Sequence, residues 1–245
     1  MVVTPVIAMV PNQYKYTIRV RVSRLWRPRF NNTDAYDDLH YVLVDEDGDS
    51  IHAFINEDQH DDYIKKVQQG QVYEICRFTT HLADPRASRV LHNDMVVHFY
   101  GPTEFVRIDD APPIPQQSFQ LIEFEDVEIE RQNKEALTGK FQISTPHEQP
   151  LQTTKKAVTK CEVIVHNLRE TLKITLWGDI AKPFDGETLQ KLTQPVLAVF
   201  TSLNLDTYNE HVVASNSDHT CVFFNPTVPM EDDYITEFSR PGNND

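Results

Sequence analysis

Tyr16, Ile18, Val20 and Val22 are apolar while Thr17, Arg19, Arg21 and Ser23 between them are polar, a strict period of two over eight residues. Only a half-buried β-strand sorts side chains that way, since successive residues of an extended chain point to opposite faces. Similar short segments recur along the 245 residues, punctuated by fifteen prolines and seven glycines, and no long stretch carries the 3.6-residue repeat of an amphipathic helix. LHYVLVDEDGDSIHAFI predicts two strands around an Asp47-Gly48 hairpin turn. Further strands are expected near 71–80 and 95–106, with one short helix between 56 and 70. After 118 they are expected at 137–144, 161–166, 171–176, 196–205 and 221–224, with a helical turn near 179–184.

The segment DDAPPIPQQS (109–118) has three prolines in ten residues and no apolar periodicity, which suits an extended connector. It divides the chain into two halves of about five strands and one short helix each, the content of a five-stranded Greek-key OB barrel. The expected organisation is therefore all-β: a first OB domain over 1–108, a linker over 109–118, a second OB domain over 119–230, and an acidic tail over 231–245. Strand counting alone leaves another small barrel or a sandwich open.

Several classes of function find no support. No apolar run reaches eighteen residues and the N-terminus lacks a basic leader, so neither a membrane span nor secretion is expected. Cys76, Cys161 and Cys221 are too far apart for a local zinc cassette, and the ten histidines form neither HxH nor HExxH. There is no GxSxG, P-loop or GxGxxG motif. The acidic run DEDGD lacks the length and closing Glu of a calcium loop and fits a hairpin better. No enzyme, no cofactor and no metal are expected.

Charge runs against nucleic-acid binding at first sight, because 23 basic against 37 acidic residues leaves −14. A phosphate backbone responds to the field along its groove rather than to the sum, and the basic residues cluster. Arg19, Arg21, Arg24, Arg27 and Arg29 fall within eleven residues, and Lys155, Lys156 and Lys160 within six. Arg24, Arg27 and Arg29, nearest the loop, are the candidates for phosphate contact in the first half. Lys155, Lys156, Lys160 and Lys173 are those of the second. A solvated strand face is the plainer alternative for any one of them.

Three aromatics fall out of phase with their strand's apolar set. Ile51, Ala53 and Ile55 alternate against Phe54, which shares a face with His52. Leu172, Ile174 and Leu176 alternate against Trp177, which shares a face with Lys173. Leu203 and Leu205 alternate against Tyr208. An aromatic on a polar face invites a flat ligand, although a lone one more often packs under a loop.

TLKITLWGDIAKPFDG, PVLAVFTSLNLDTYNEHVVAS and FNPTVP resemble, in order, the second DNA-binding OB domain of the replication protein A large subunit. The motifs IRVRVSRLW, LVDEDGDSIHAFI, GQVYEICRF and HNDMVVHFYGPTE are similar to the domain before it, closest in character to plant members. Together the matches run from about 12 to 230. The resemblance implies two tandem OB barrels that hold single-stranded DNA in replication, repair or recombination, in the nucleus, alongside other replication or repair proteins. It implies Phe54 and Phe99 as the first domain's stacking pair and Trp177 and Tyr208 as the second's. Neither the family's zinc-binding third OB domain nor its N-terminal interaction domain has a counterpart here, and Asn204 stands where the family has a basic residue. The rival expectations are an acidic protein-interaction module that kept the fold and lost the DNA, or a binder of single-stranded RNA.

Overall fold

A computed structural model of the chain describes residues 2–28, 37–59, 63, 66–84, 89–109, 111–119, 121, 137–143, 147–152, 157–166, 171–184, 186–192, 196–209 and 211–226. The chain divides into two compact units, Met1–Ser118 and Phe119–Asp245.

The first unit contains β1 (Thr17–Trp26), β2 (Leu39–Val44), β3 (Ser50–Ile55), β4 (Val72–Cys76), β5 (Thr79–Leu82), β6 (Met95–Phe99) and β7 (Glu104–Arg107). They form one sheet in the order β5-β6-β3-β2-β1-β4-β7. β4 and β5 are two arms of one bent strand, broken where Arg77 takes a positive φ of 58°. One arm pairs with β1 and the other with β6, so the sheet curls back on itself with a parallel β3–β6 contact. The segment 95–106, expected as a single strand, is interrupted by a turn in which Thr103 N–H donates to the Tyr100 carbonyl at 2.8 Å.

Alternation fills the interior. Ile18, Val20 and Val22 of β1, Leu39, Tyr41 and Leu43 of β2, Ile51, Ala53 and Ile55 of β3, and Val97 and Phe99 of β6 are all buried in one cluster. The acidic hairpin run is a side-chain-capped turn. Asp45 Oδ1 accepts from the Asp47 and Asp49 N–H groups at 3.1 and 2.9 Å, and Oδ2 accepts from Val6 N–H at 2.8 Å. Gly48, with φ of 83°, supplies the left-handed corner that a residue with a Cβ would strain. Part of the 109–118 segment docks on this unit: Ile114 is buried with Val42, Val44, Val72 and Val90, and its carbonyl accepts from Arg21 Nε at 3.0 Å.

The second unit contains β8 (Leu137–Ile143), β9 (His147–Gln152), β10 (Ala157–His166), β11 (Thr171–Trp177), a 3₁₀ segment (Gly178–Phe184), helix α1 (Gly186–Gln190), β12 (Leu197–Tyr208) and β13 (His211–Phe224). The strand order β11-β13-β12-β8-β10-β9, with an additional β11–β10 pairing, closes a ring of β8, β10, β11, β13 and β12 to which β9 adds an outer hairpin. This is an OB-like closure, with β13 parallel to β11. Cys161, Val163, Val165, Leu172, Ile174, Leu176, Phe184 and Phe200 lie in its core. Asn225 staples the seam: its N–H donates to the Leu197 carbonyl at 2.7 Å, and its Oδ1 accepts from Leu197 N–H at 2.8 Å.

Candidate nucleic-acid interface

In the first unit the outward face of the curled sheet carries a continuous ladder of rings. A β-bulge between Val22 and Arg24 shifts the phase of β1, so that Leu25 continues the core while Arg24 and Trp26 turn to the opposite face, where Trp26 packs against the Val42, Val44, Val72, Val90 and Ile114 cluster. Trp26 pairs across the sheet with His40, His40 with Phe54, and Phe54 with His98. Trp26 stacks on His40 with centroids 5.3 Å apart, His40 on His52 at 5.1 Å, and Phe54 on His98 at 4.7 Å with planes 14° apart. His40 Nδ1 and His52 Nε2 are 2.9 Å apart, a hydrogen bond in which one ring donates and the other accepts. His98 Nε2 shares a 3.1 Å hydrogen bond with Asn56 Oδ1. Burial first, and then the neighbouring His81, lower the His98 pKa below its ordinary value, against a smaller pull from Asp38.

This register corrects one expectation. Phe99 pairs with Ile55 on the core side and is fully buried, edge-on to Tyr41, Phe78 and Phe105. A base cannot reach it. Its neighbour His98 holds the outward position beside Phe54, and Trp26 extends the same face.

The arginines are more committed than their clustering implied. Arg24 is only 8% exposed and lies over the Trp26 ring, guanidinium carbon 4.0 Å from the centroid. Arg27 donates to the Asp37 carbonyl at 3.0 Å and to Glu57 at 3.1 Å. Arg19 bridges Glu46 and Glu74 at 2.9 and 2.8 Å, and Arg21 donates to the carbonyls of Gly70 and Ile114. These four brace the fold or the aromatic ladder, so phosphate contact by Arg24 and Arg27 would require rearrangement. Arg29 lies outside the described residues.

In the second unit Trp177 ends β11, where Gly178 with φ of 74° turns the chain into the 3₁₀ segment. Asn216 of β13 fixes this point, accepting from Trp177 N–H at 2.7 Å. The indole is 40% exposed and lies outside the core cluster. Directly across the β10–β11 pair stands Lys160, its Nζ 5.4 Å from the indole centroid. Lys173, four residue pairs along the ladder, shares the face. Both ammonium groups converge on Glu162, Lys160 at 2.7 Å and Lys173 at 2.8 Å, and together they hold its carboxyl below the usual range. Tyr208, 68% exposed, stands at the β12–β13 hairpin, two pairs beyond Asp206. Asn204 is exposed on the same strand. Lys155 and Lys156 lie outside the described residues.

Each unit thus presents rings edged by cations on an outer sheet face. Among the described residues no three His, Cys, Asp or Glu side chains are grouped to hold a metal ion, and no helix is long and apolar enough to cross a membrane.

Residues 8–128 match a family model described as a domain of unknown function, DUF223. The 70 kDa DNA-binding subunit of replication protein A from Xenopus laevis is 26% identical, over 93% of this chain. One of the 70 kDa DNA-binding subunits of replication protein A from Arabidopsis thaliana is also 26% identical, over 99% of it. The chain is similar to replication protein A large subunits. It spans about a third of the length of these relatives, 37% and 29% respectively. A replication protein A heterotrimer solved with single-stranded DNA matches with a TM-score of 0.60 at 18% identity, covering 96% of this chain and 55% of that one. The p202 HIN1 domain solved with a 12-mer duplex matches with a TM-score of 0.50 at 8% identity, over 86% of this chain and 94% of that one. At those identities the structural matches speak for the OB-like fold alone.

Trp26, His40 and His98 escaped the sequence reading for separate reasons. An unbroken period of two puts Trp26 in phase with Val20 and Val22, and only the bulge turns it out. His40 and His98 become ring neighbours of Trp26 and Phe54 through strand register, which no local spacing encodes.

Proposed function

We propose that the chain is a non-enzymatic, sequence-tolerant binder of single-stranded DNA, in which each OB unit stacks unpaired bases on its outer rings and steers the backbone with nearby cations. The observation that carries this reading is Trp177: a half-exposed indole, pinned by Asn216, with two lysines on its face. The sequence similarity to replication protein A large subunits supports it independently. Bases offer a flat π-face irrespective of sequence, and each stacked base contributes about 1 to 3 kcal/mol. In the first unit the platform is Phe54 with Trp26 and His98; in the second it is Trp177 with Tyr208. Lys173 is the accessible cation, with Arg29, Lys155 and Lys156 as further contacts.

The functional units are taken as 1–108 and 119–230, joined through 109–118 and followed by the tail 231–245. Work in replication, repair or recombination, residence in the nucleus and association with other replication proteins follow from the same reading. Anisotropy titrations with dT, rU and duplex oligonucleotides across a salt series test it. Tightest binding to dT, weakening as salt rises with a log–log slope of about 0.7 per phosphate contacted, is expected. Binding to duplex at equal or greater strength refutes it, and an rU preference moves the assignment to RNA.

A further inference from the structure

Glu162 stands where a ligand anion would be useful. It sits on β10 between Lys160 and Ile164, on the outer face opposite Thr175 of β11. Its two carboxylate oxygens are divided between two ammonium groups, Oε1 to Lys160 Nζ at 2.7 Å and Oε2 to Lys173 Nζ at 2.8 Å. Two oxygens of one anion bridging two cations is also the way a backbone phosphate engages a lysine pair. The site lies beside the indole, because the same Lys160 Nζ is 5.4 Å from the Trp177 centroid. The carboxylate stays charged at neutral pH, held below its ordinary range by hydrogen bonds from both lysines. Lys160, Lys173 and Trp177 alone would recommend this face as a cationic stacking site; Glu162 cancels half of the charge of the two lysines.

We propose that Glu162 is an internal competitor for backbone phosphate: its carboxylate occupies the two-ammonium seat beside Trp177 and must be displaced, or must share it, when a strand binds. The inference rests on the single-stranded DNA reading and deepens it, since it names a residue that lowers affinity. Displacement exchanges one lysine-bound anion for another, so the net gain from the lysine pair is small. Without the carboxylate, both ammonium groups act on the phosphate directly.

The test is Glu162→Gln, which keeps the side chain's shape and removes its charge, titrated with a dT oligomer in parallel with the native chain. Because an ion pair at an exposed site is modest, the variant is expected to bind roughly two- to fivefold tighter at low salt. Its salt slope should be steeper by about 0.7 for one additional phosphate neutralised. Lys173→Gln should cost more affinity in the Glu162→Gln background than in the native one, a coupling that a merely structural carboxylate does not produce. Should Glu162→Gln fail to fold, Glu162→Thr, a neutral residue suited to a strand, is titrated in its place, with the same gain in affinity and salt slope expected. A folded neutral variant with native affinity and native slope overturns the proposal. Native binding with Glu162→Gln unchanged in affinity and slope overturns this inference alone. Absence of dT binding by both chains overturns the inference together with the reading it rests on.

Discussion

Trp177→Ala separates stacking from packing in one substitution. Trp177 is 40% exposed and is not a member of the second unit's core cluster; its backbone is held by Asn216 and its described ring contact is with Lys160. Truncation therefore removes a cation–π contact of about 0.5 to 1 kcal/mol and leaves the barrel filled. A tryptophan embedded in the core would instead cost about 3 to 5 kcal/mol of stability. On the binding side, one base lost from the indole is worth about 1 to 3 kcal/mol, a weakening of about five- to 150-fold. The assay pairs chemical denaturation with anisotropy titration on dT. The fluorescence control needs care, because Trp26 belongs to the first unit's ring ladder and should respond to DNA as well. The Trp177 signal is thus the quenching that remains in a Trp26→Phe background. A large stability loss with unchanged affinity would refute the reasoning and make Trp177 a packing residue.

Other substitutions and conditions divide core from surface in the same way. Phe99→Ala should destabilise the first unit by about 3 to 5 kcal/mol in a denaturant series, whereas Phe54→Ala should chiefly weaken dT binding; the reverse pattern would contradict the register of β6. His98 takes up its proton less readily folded than unfolded, so its contribution to stability is complete above its ordinary pKa of 6.5 and is lost as pH falls below that value. Denaturation measured from about pH 7 to 5 should show this decline, and His98→Gln should flatten it. An unchanged profile would mean that the ring is not held neutral by burial.

How far the site could be read in advance depended on the strand. In β3 and β11 every core residue alternates cleanly, so Phe54 and Trp177 are legible as outward residues from spacing alone. β6 offers VVHFY, where Val96 and Val97 are both apolar, and spacing does not say which of His98 and Phe99 faces in. Pairing with Ala53 and Ile55 decides it. The arginine cluster was legible as a cluster but not as a set of braces. Arg19 meets Glu74 across the β1–β4 pair and Glu46 beyond β2, while Arg27 meets Glu57, thirty residues away. The Glu162 bridge is likewise a cross-strand event, since Lys173 comes to it by the β10–β11 register.

Photocrosslinking tests most directly where the strand lies. The native chain bound to a bromouridine-substituted single strand is irradiated, and the crosslinked peptides are identified by mass spectrometry. Adducts at Trp177 and Tyr208 in the second unit, and at Phe54 or Trp26 in the first, are the predicted result. Adducts confined to other faces of the two units, with these four residues unmodified, would contradict the account.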